Sequence, residues 1–505
     1  MSTAIHKLRI RTAERDAHAV EQRVAALLNA ADLRPRALPP SSILVVRRIG
    51  PGLPPLRVDG HSVRPPADWQ EAVLDLLDRA ARTAQRPAGG PVPERAEAVL
   101  FLDRAELLAC LAADWVDGTL AFHWWWLNLF PRADLEAAVV RSWLESPEYA
   151  PAAIERLAWT GHAAAFVRKL PGSALPVMAR DVARAFGLRD LEPAIEIVFA
   201  GAAIPENAIE GEPRPRETGP LIRVAPPWTP WVPEARNPAL TTGQRAFLGI
   251  ALAFQRAPQA VRDRAFAAQV KVWAESAATL EVGSSPKLAT AFPEPIPMGG
   301  AQAQSVAAES PPETLPAPAE EAADVAEEST PQPRPAIEMA TAPEFSLERS
   351  PFDEVKIETE FGGLFYLINL GIYLGFYGDF STPEEPGIDL PIWDFLTLVG
   401  RGLLEEPRLQ DPVWGMLARL AGRPEFEEPR WDWLEEAMQQ INAWIAAEKV
   451  EGLVVMHSAR VRLTATHLDV FLSLEELPVE IRIARLDRDP GWVPAAGRYI
   501  AFHFQ

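Results

Sequence analysis

The chain has 505 residues with 69 Asp and Glu against 49 Lys and Arg, a formal charge of −20, and so acidic a balance excludes a general binder of nucleic-acid backbones, which needs basic surface to release counterions. A hydrophobic share of 48% with 23% charged residues is that of an ordinary globular chain, long enough for about two to four domains. One cysteine, Cys110, excludes an intrachain disulfide framework and a cysteine-built zinc site.

The N-terminal residues reach Glu14 and Asp16 before any apolar run of signal-peptide length, so the expectation is a cytoplasmic chain. Val20, Val24, Leu27 and Leu28 have helical spacing and end near Asp32, and Ile43-Leu-Val-Val46 between prolines reads as a buried strand. Asp68 with Glu71 three residues on predicts a capped helix through Val73, Leu74, Leu76 and Leu77. Further helices are predicted over 94–113, 133–145, 151–170, 175–187 and 242–279. Residues 202–240, which contain Pro226-Pro-Trp-Thr-Pro-Trp231, read as a long loop packed over them.

Between 301 and 350 stand eight prolines, twelve alanines and ten acidic residues against two arginines. A segment so poor in large apolar side chains cannot offset its ordering entropy, which predicts a disordered acidic tether with edges reaching back to Ser284. The chain therefore divides into a mainly helical N-terminal region, 1–283, a Pro/Ala/Glu linker, 284–350, and an α+β C-terminal domain, 351–505. In the last, helices are predicted over Phe361–Tyr377, Ile392–Leu404, Asp411–Leu420, with Asp411 as cap before Pro412, and Trp431–Lys449. A small antiparallel sheet should follow them. Val461 and Leu463 alternate on one parity and Leu468, Val470, Leu472 and Leu474 on the other, so Ala465-Thr-His467 must be a turn or bulge. Val479, Ile481 and Ile483 read as another strand, and Ile500, Phe502 and Phe504 as the last.

None of the six lysines follows a glycine, which excludes a Walker A loop, and neither Gly-x-Ser-x-Gly nor His-Glu-x-x-His occurs. Paired acids such as Glu358 and Glu360 carry no catalytic spacing. Neither catalytic residues nor a cofactor site are assigned. The candidate metal set is His457, His467, Asp469 and His503, which the predicted terminal sheet could bring together; histidines bonded to backbone on strands are the plainer expectation. Phe361–Gly378 is eighteen residues without a charge, short for a bilayer span and interrupted by Asn369 and glycines, so a buried helix is expected. The run Trp124-Trp125-Trp126 is too dense for one helical face. With Trp228 and Trp231 it is either a partner-binding surface or core filling beneath the proline-rich loop.

The end of the chain is more specific. Arg460-Val-Arg-Leu-Thr-Ala-Thr-His-Leu-Asp469-Val-Phe-Leu-Ser-Leu474, Leu486-Asp-Arg-Asp-Pro-Gly-Trp-Val-Pro494 and Gly497-Arg-Tyr-Ile-Ala-Phe-His-Phe504, with Phe361–Leu370 and Gly375-Phe-Tyr-Gly-Asp-Phe380, resemble uncharacterised bacterial proteins encoded in gene clusters for extracellular contractile injection particles. The resemblance covers most of 351–505 and, more weakly, Ile43–Arg48. It implies a part in the assembly of a phage-tail-like particle, with that particle's protein components as partners, and brings no catalytic residues. A tape-measure protein of such a particle would be dominated by long helices, which fifty prolines do not suit. The expectation is a non-enzymatic accessory or scaffold protein. The alternatives are a hydrolase of unknown class acting on a particle or envelope component, and a membrane-attached factor.

Overall fold

Apolar stripes at helical spacing build the N-terminal part. In the computed structural model, which describes residue 5 and residues 17–36, 38–49, 53–56, 63–131, 134–200, 225–281, 354–383, 387–404, 410–424, 427–450 and 455–505, α1 (Ala17–Ala30) buries Val20, Val24 and Leu27 along one face. The linker expected at 284–350 lies outside the described residues, as does the first half of the proline-rich loop. β1 (Ile43–Val46) is the strand expected there, and it pairs antiparallel with β2 (Ala98–Phe101), Val45 opposite Val99.

Between them α2 (Ala67–Thr83) starts after Pro66, and no side chain caps it. Asp68 therefore sits in the first turn rather than at the cap, where its charge still favours the helix dipole. The helix expected over 94–113 is cut by β2. Ala98-Val-Leu-Phe101 is too short an apolar run to reveal its period, and α3 (Arg104–Val116) begins only after Asp103, whose carboxylate accepts from the Glu106 backbone N–H at 2.8 Å.

The helices α4 (Trp124–Leu129), α5 (Leu135–Leu144), α6 (Ala150–Trp159), α7 (Ala163–Lys169), α8 (Ala174–Ala185) and α9 (Glu192–Ala200) follow. The long helix expected over 242–279 is three: α10 (Thr242–Arg256), opened by a capping box between Thr241 and Gln244, α11 (Pro258–Arg262) and α12 (Arg264–Glu281). Pro258 has no N–H to continue the ladder of α10 but suits the first turn of a new helix. Of the proline-rich loop, Trp228 is buried edge-on to Trp273 of α12, ring centroids 4.9 Å apart. Gly249 of α10 makes the seat, because a Cβ there would stand 2.5 Å from the indole.

The C-terminal part opens with a strand that was not anticipated, β3 (Val355–Thr359). A 3₁₀ turn at Gly362–Phe365 leads into α13 (Tyr366–Tyr373), then α14 (Ile392–Leu403), α15 (Pro412–Leu420) and α16 (Leu434–Glu448). Asp411 caps α15 as expected, accepting from Val413 N at 2.9 Å, and ties it to β3 by accepting from the Thr359 hydroxyl at 2.7 Å. The uncharged stretch from Phe361 becomes this turn and the short, largely buried α13. Among the described residues no helix is long and apolar enough to cross a membrane.

Five strands form the terminal sheet in the order β3, β4 (Ala459–Leu463), β5 (His467–Leu472), β7 (Arg498–Phe504), β6 (Gly491–Val493). The parity change falls in a turn between β4 and β5, as expected, but at Thr464–Thr466 rather than Ala465–His467, because His467 already belongs to β5. The sheet is mixed, which corrects the antiparallel expectation: β5 and β7 run parallel, with His467 opposite Tyr499. Alternation reads alike for both directions, and it is the long connection through α17 and β6 that lets β7 return parallel. Residues 479–483 are that helix, α17 (Val479–Ile483), rather than a strand. A strand would put Val479, Ile481 and Ile483 on one face; the helix buries Ile481 and turns the other two to solvent.

One apolar core lies among α3, α6, α8 and α10, a second between α13–α15 and the inner sheet face bearing Val461, Leu468, Val470 and Ile500. Residues 1–283 and 351–505 nevertheless belong to one compact unit. Trp492, Tyr499 and Ala465 of the C-terminal part pack against the first core.

Candidate functional site

A run of polar contacts lies along the seam between these two parts. It starts at Asp103. One carboxylate oxygen caps α3, and the other accepts from the Thr466 hydroxyl at 2.6 Å, a bond spanning 363 residues of chain. Thr466 Oγ1 also lies 2.9 Å from His467 Nδ1. A carboxylate only accepts, so Thr466 spends its proton on Asp103, and its oxygen takes the N–H of His467 Nδ1, which fixes that tautomer.

Local sequence explains why these groups meet. The tight β4–β5 turn is held by Thr464, whose hydroxyl accepts from the backbone N–H groups of Thr466 and His467. That turn carries Thr466 and His467 to the end of the sheet facing α3. β7 then brings Tyr499 beside His467, with rings stacked at 5.2 Å, and Tyr149 stacks on Tyr499 at 5.4 Å. The Tyr499 hydroxyl donates to Glu148 at 2.9 Å. Burial raises the pKa of both phenols above the ordinary range, so they remain hydroxyls at neutral pH.

Two further bonds close the seam. The Trp492 indole N–H donates to the Ala185 carbonyl at 2.7 Å, with its ring edge-on to Phe186, and the Arg262 guanidinium donates to the carbonyls of Pro494 and Phe186. Burial pushes Arg262 down to about 10, still charged at neutral pH. Behind Asp103, Glu106 is 1% exposed and receives Arg86 on both oxygens at 2.8 Å and Arg156 at 2.9 Å. A cavity no larger than about one water molecule lies between Asp103, Glu106, Arg156 and Thr464.

Asp103, Thr466 and His467 are carboxylate, hydroxyl and imidazole in a row, but the hydroxyl gives its proton to the carboxylate and Thr466 is 2% exposed. What this geometry does chemically is clamp: it fastens the turn of the sheet onto the capped end of α3.

The metal candidates separate. His457 places Nδ1 3.3 Å from the Tyr366 hydroxyl, while its carbonyl accepts from Gly362 N at 2.7 Å. His467 belongs to the seam. Only Asp469 and His503 meet, at 2.8 Å, with the Arg462 guanidinium 3.9 Å from the other Asp469 oxygen and paired also with Glu354. Among the described residues no three His, Cys, Asp or Glu side chains converge as a metal would require. These groups lie on the sheet face away from the second core, where Phe471 stacks on His503 and Arg460 lies over Phe471.

The tryptophans also divide. Trp126 is fully buried, stacked on Phe101 and bonded through its N–H to Asp114 at 2.6 Å; Trp125 is buried edge-on to it. Trp124 is half-buried beneath Arg47. Trp228 fills the first core over α10, and Trp231 is 37% exposed. Sequence reasoning missed the seam residues Asp103, Glu148, Tyr149 and Tyr499. The readable signal at Asp103 was an acidic residue just after an apolar run and three residues before Glu106, the spacing of an N-terminal cap. Compared with family models, with curated proteins and with solved structures, the chain matches none.

Proposed function

We propose that the chain is a non-enzymatic accessory or assembly protein of a contractile, phage-tail-like injection particle, acting in the cytoplasm on that particle's protein components. The observation that carries this reading is the resemblance of 351–505, whose words include Arg460–Leu474, Leu486–Pro494 and Gly497–Phe504. These segments supply four of the five strands of the terminal sheet and the seam residues Thr466, His467, Trp492 and Tyr499. A platform of two parts clamped together suits a scaffold, which has to hold partners in register. Exposed aromatics, Phe122, Trp159, Trp231, Tyr373 and Trp433, supply the kind of side chain that protein interfaces favour.

The test is to tag the protein at its own locus, isolate intact particles and quantify it by mass spectrometry against the free pool, alongside a deletion strain. Fixed stoichiometry in particles, or particles that fail to form without the gene, is the expected result. Normal particles that lack the protein and form equally well after deletion defeat the reading.

A further inference from the structure

The clamp contains an imidazole that is 9% exposed and holds two parts with separate apolar cores together. We propose that the seam is a pH-sensitive latch between residues 1–283 and 351–505, released when His467 takes up a second ring proton.

The His467 ring is held inside the seam. It is stacked on Tyr499 and near Tyr149, and its one recorded hydrogen bond runs to Thr466. Charged and titratable groups face it from the elements around it: Asp103 from the start of α3, Tyr149 from the turn before α6, Arg462 from β4, Asp469 from β5, and Arg498 and Tyr499 from β7, with Glu148 one step removed on the Tyr499 hydroxyl. Burial is the largest influence on the ring and disfavours the imidazolium; Asp103 and Asp469 oppose it, and Arg462 and Arg498 reinforce it. The net effect holds His467 below its ordinary value. Arg498, half-buried and pushed by burial down to about 10, remains a cation throughout the neutral range.

The sign follows. With the seam open, His467 meets water and titrates near its ordinary value of about 6.5. The open form then binds more protons than the closed form between the two values. Closure is at full strength above about pH 6.5 and weakens as pH falls through that value toward the lower one of the closed form. The Glu155 and Asp394 carboxyls are raised by burial and respond in the opposite sense, so the seam has to be read locally.

Hydrogen–deuterium exchange of the full chain at about pH 7.5 and about pH 5.5, corrected for intrinsic rates, reads it peptide by peptide. Peptides spanning Asp103–Leu108 and Thr466–Phe471 should exchange about threefold faster or more at the lower pH, while peptides from Phe247–Phe254 of α10 hold steady. In His467→Asn, whose amide keeps a donor toward Thr466 but does not titrate, the acceleration should vanish; His467→Gln is the second variant if the first does not fold. Equal protection of the seam at both pH values, or the same acceleration in the variant, overturns the latch. If neither variant folds, the wild-type midpoint decides: one in the carboxylate range, near about 4, assigns the opening to Asp103 and removes His467 from the account.

Discussion

At Asp103 a single carboxylate carries two structural tasks, and the two oxygens can be separated experimentally. Asp103→Ala removes the cap of α3, worth about 1 kcal/mol, and a charge-assisted bond to a buried hydroxyl, worth about 1.5–3 kcal/mol. Thr466→Val keeps the cap but removes the second, together with the bond that His467 Nδ1 donates to the hydroxyl. Urea denaturation should therefore show each variant destabilised by about 1.5 kcal/mol or more. The double variant should fall short of the sum, because the two share one bond. Additive losses would show that the 2.6 Å contact contributes nothing.

Gly249 poses a contest between two effects on the same residue. In the middle of α10, alanine gains about 1 kcal/mol of helix propensity, and on an open face Gly249→Ala would be stabilising. Here the added methyl would stand 2.5 Å from Trp228, which is 1% exposed and wedged against Trp273. Overpacking of that kind costs about 1–3 kcal/mol, and no flexible chain end is present to give way. Gly249→Ala should lower the melting temperature. A variant as stable as the parent or more so would mean that the indole shifts freely and that the proline-rich loop is loosely seated.

Among the elements, what sequence could reveal was set by length and by partner. α14 and α15 keep close to their predicted bounds, since their apolar positions repeat over several turns and Asp411-Pro412 marks a start that local chemistry enforces. The β4–β5 hairpin was legible because its two apolar series have opposite parity. β2, β3 and α17 were not. Each is four or five residues long, and over that span apolar spacing cannot separate a strand from a turn of helix; their pairing or docking partners, remote in sequence, decide. The direction of β7 was hidden for the same reason. The seam was the least legible feature, because Asp103 and Thr466 become neighbours only once both parts are built. Glu106 shows how such an element is anchored. Its side chain is fully enclosed between Arg86 and Arg156, so Glu106→Gln leaves a guanidinium pair without its anion at the start of α3. A loss of about 3 kcal/mol is expected, measured by denaturation, with proteolysis rising first around residues 84–106 rather than in the terminal sheet.

For the whole molecule, the question is what joins two parts that each own an apolar core. The recorded links are specific and mostly polar: Asp103 to Thr466, Glu148 to Tyr499, Arg262 to Pro494 and Trp492 to Ala185, with Phe186 and Trp492 as the apolar centre. Interfaces of this composition release more readily than a shared core and yet fix register, because each donor needs its particular acceptors in place. Covalent continuity through 284–350 then raises local concentration without being what holds the parts together. Residues 1–283 and 351–505 expressed as separate chains in one cell should therefore co-purify on a tag carried by either. Trp492→Ala deletes the aromatic contact and the bond to Ala185 together. In the split pair it should lower recovery of the untagged half about tenfold or more, the effect of losing about 1.4 kcal/mol or more, whereas in the intact chain the tether should mask most of the loss. Recovery of neither half with the other, from soluble and folded material, would show that the seam forms only under the constraint of the linker; the latch would then act on the strength of closure within one chain and not on association.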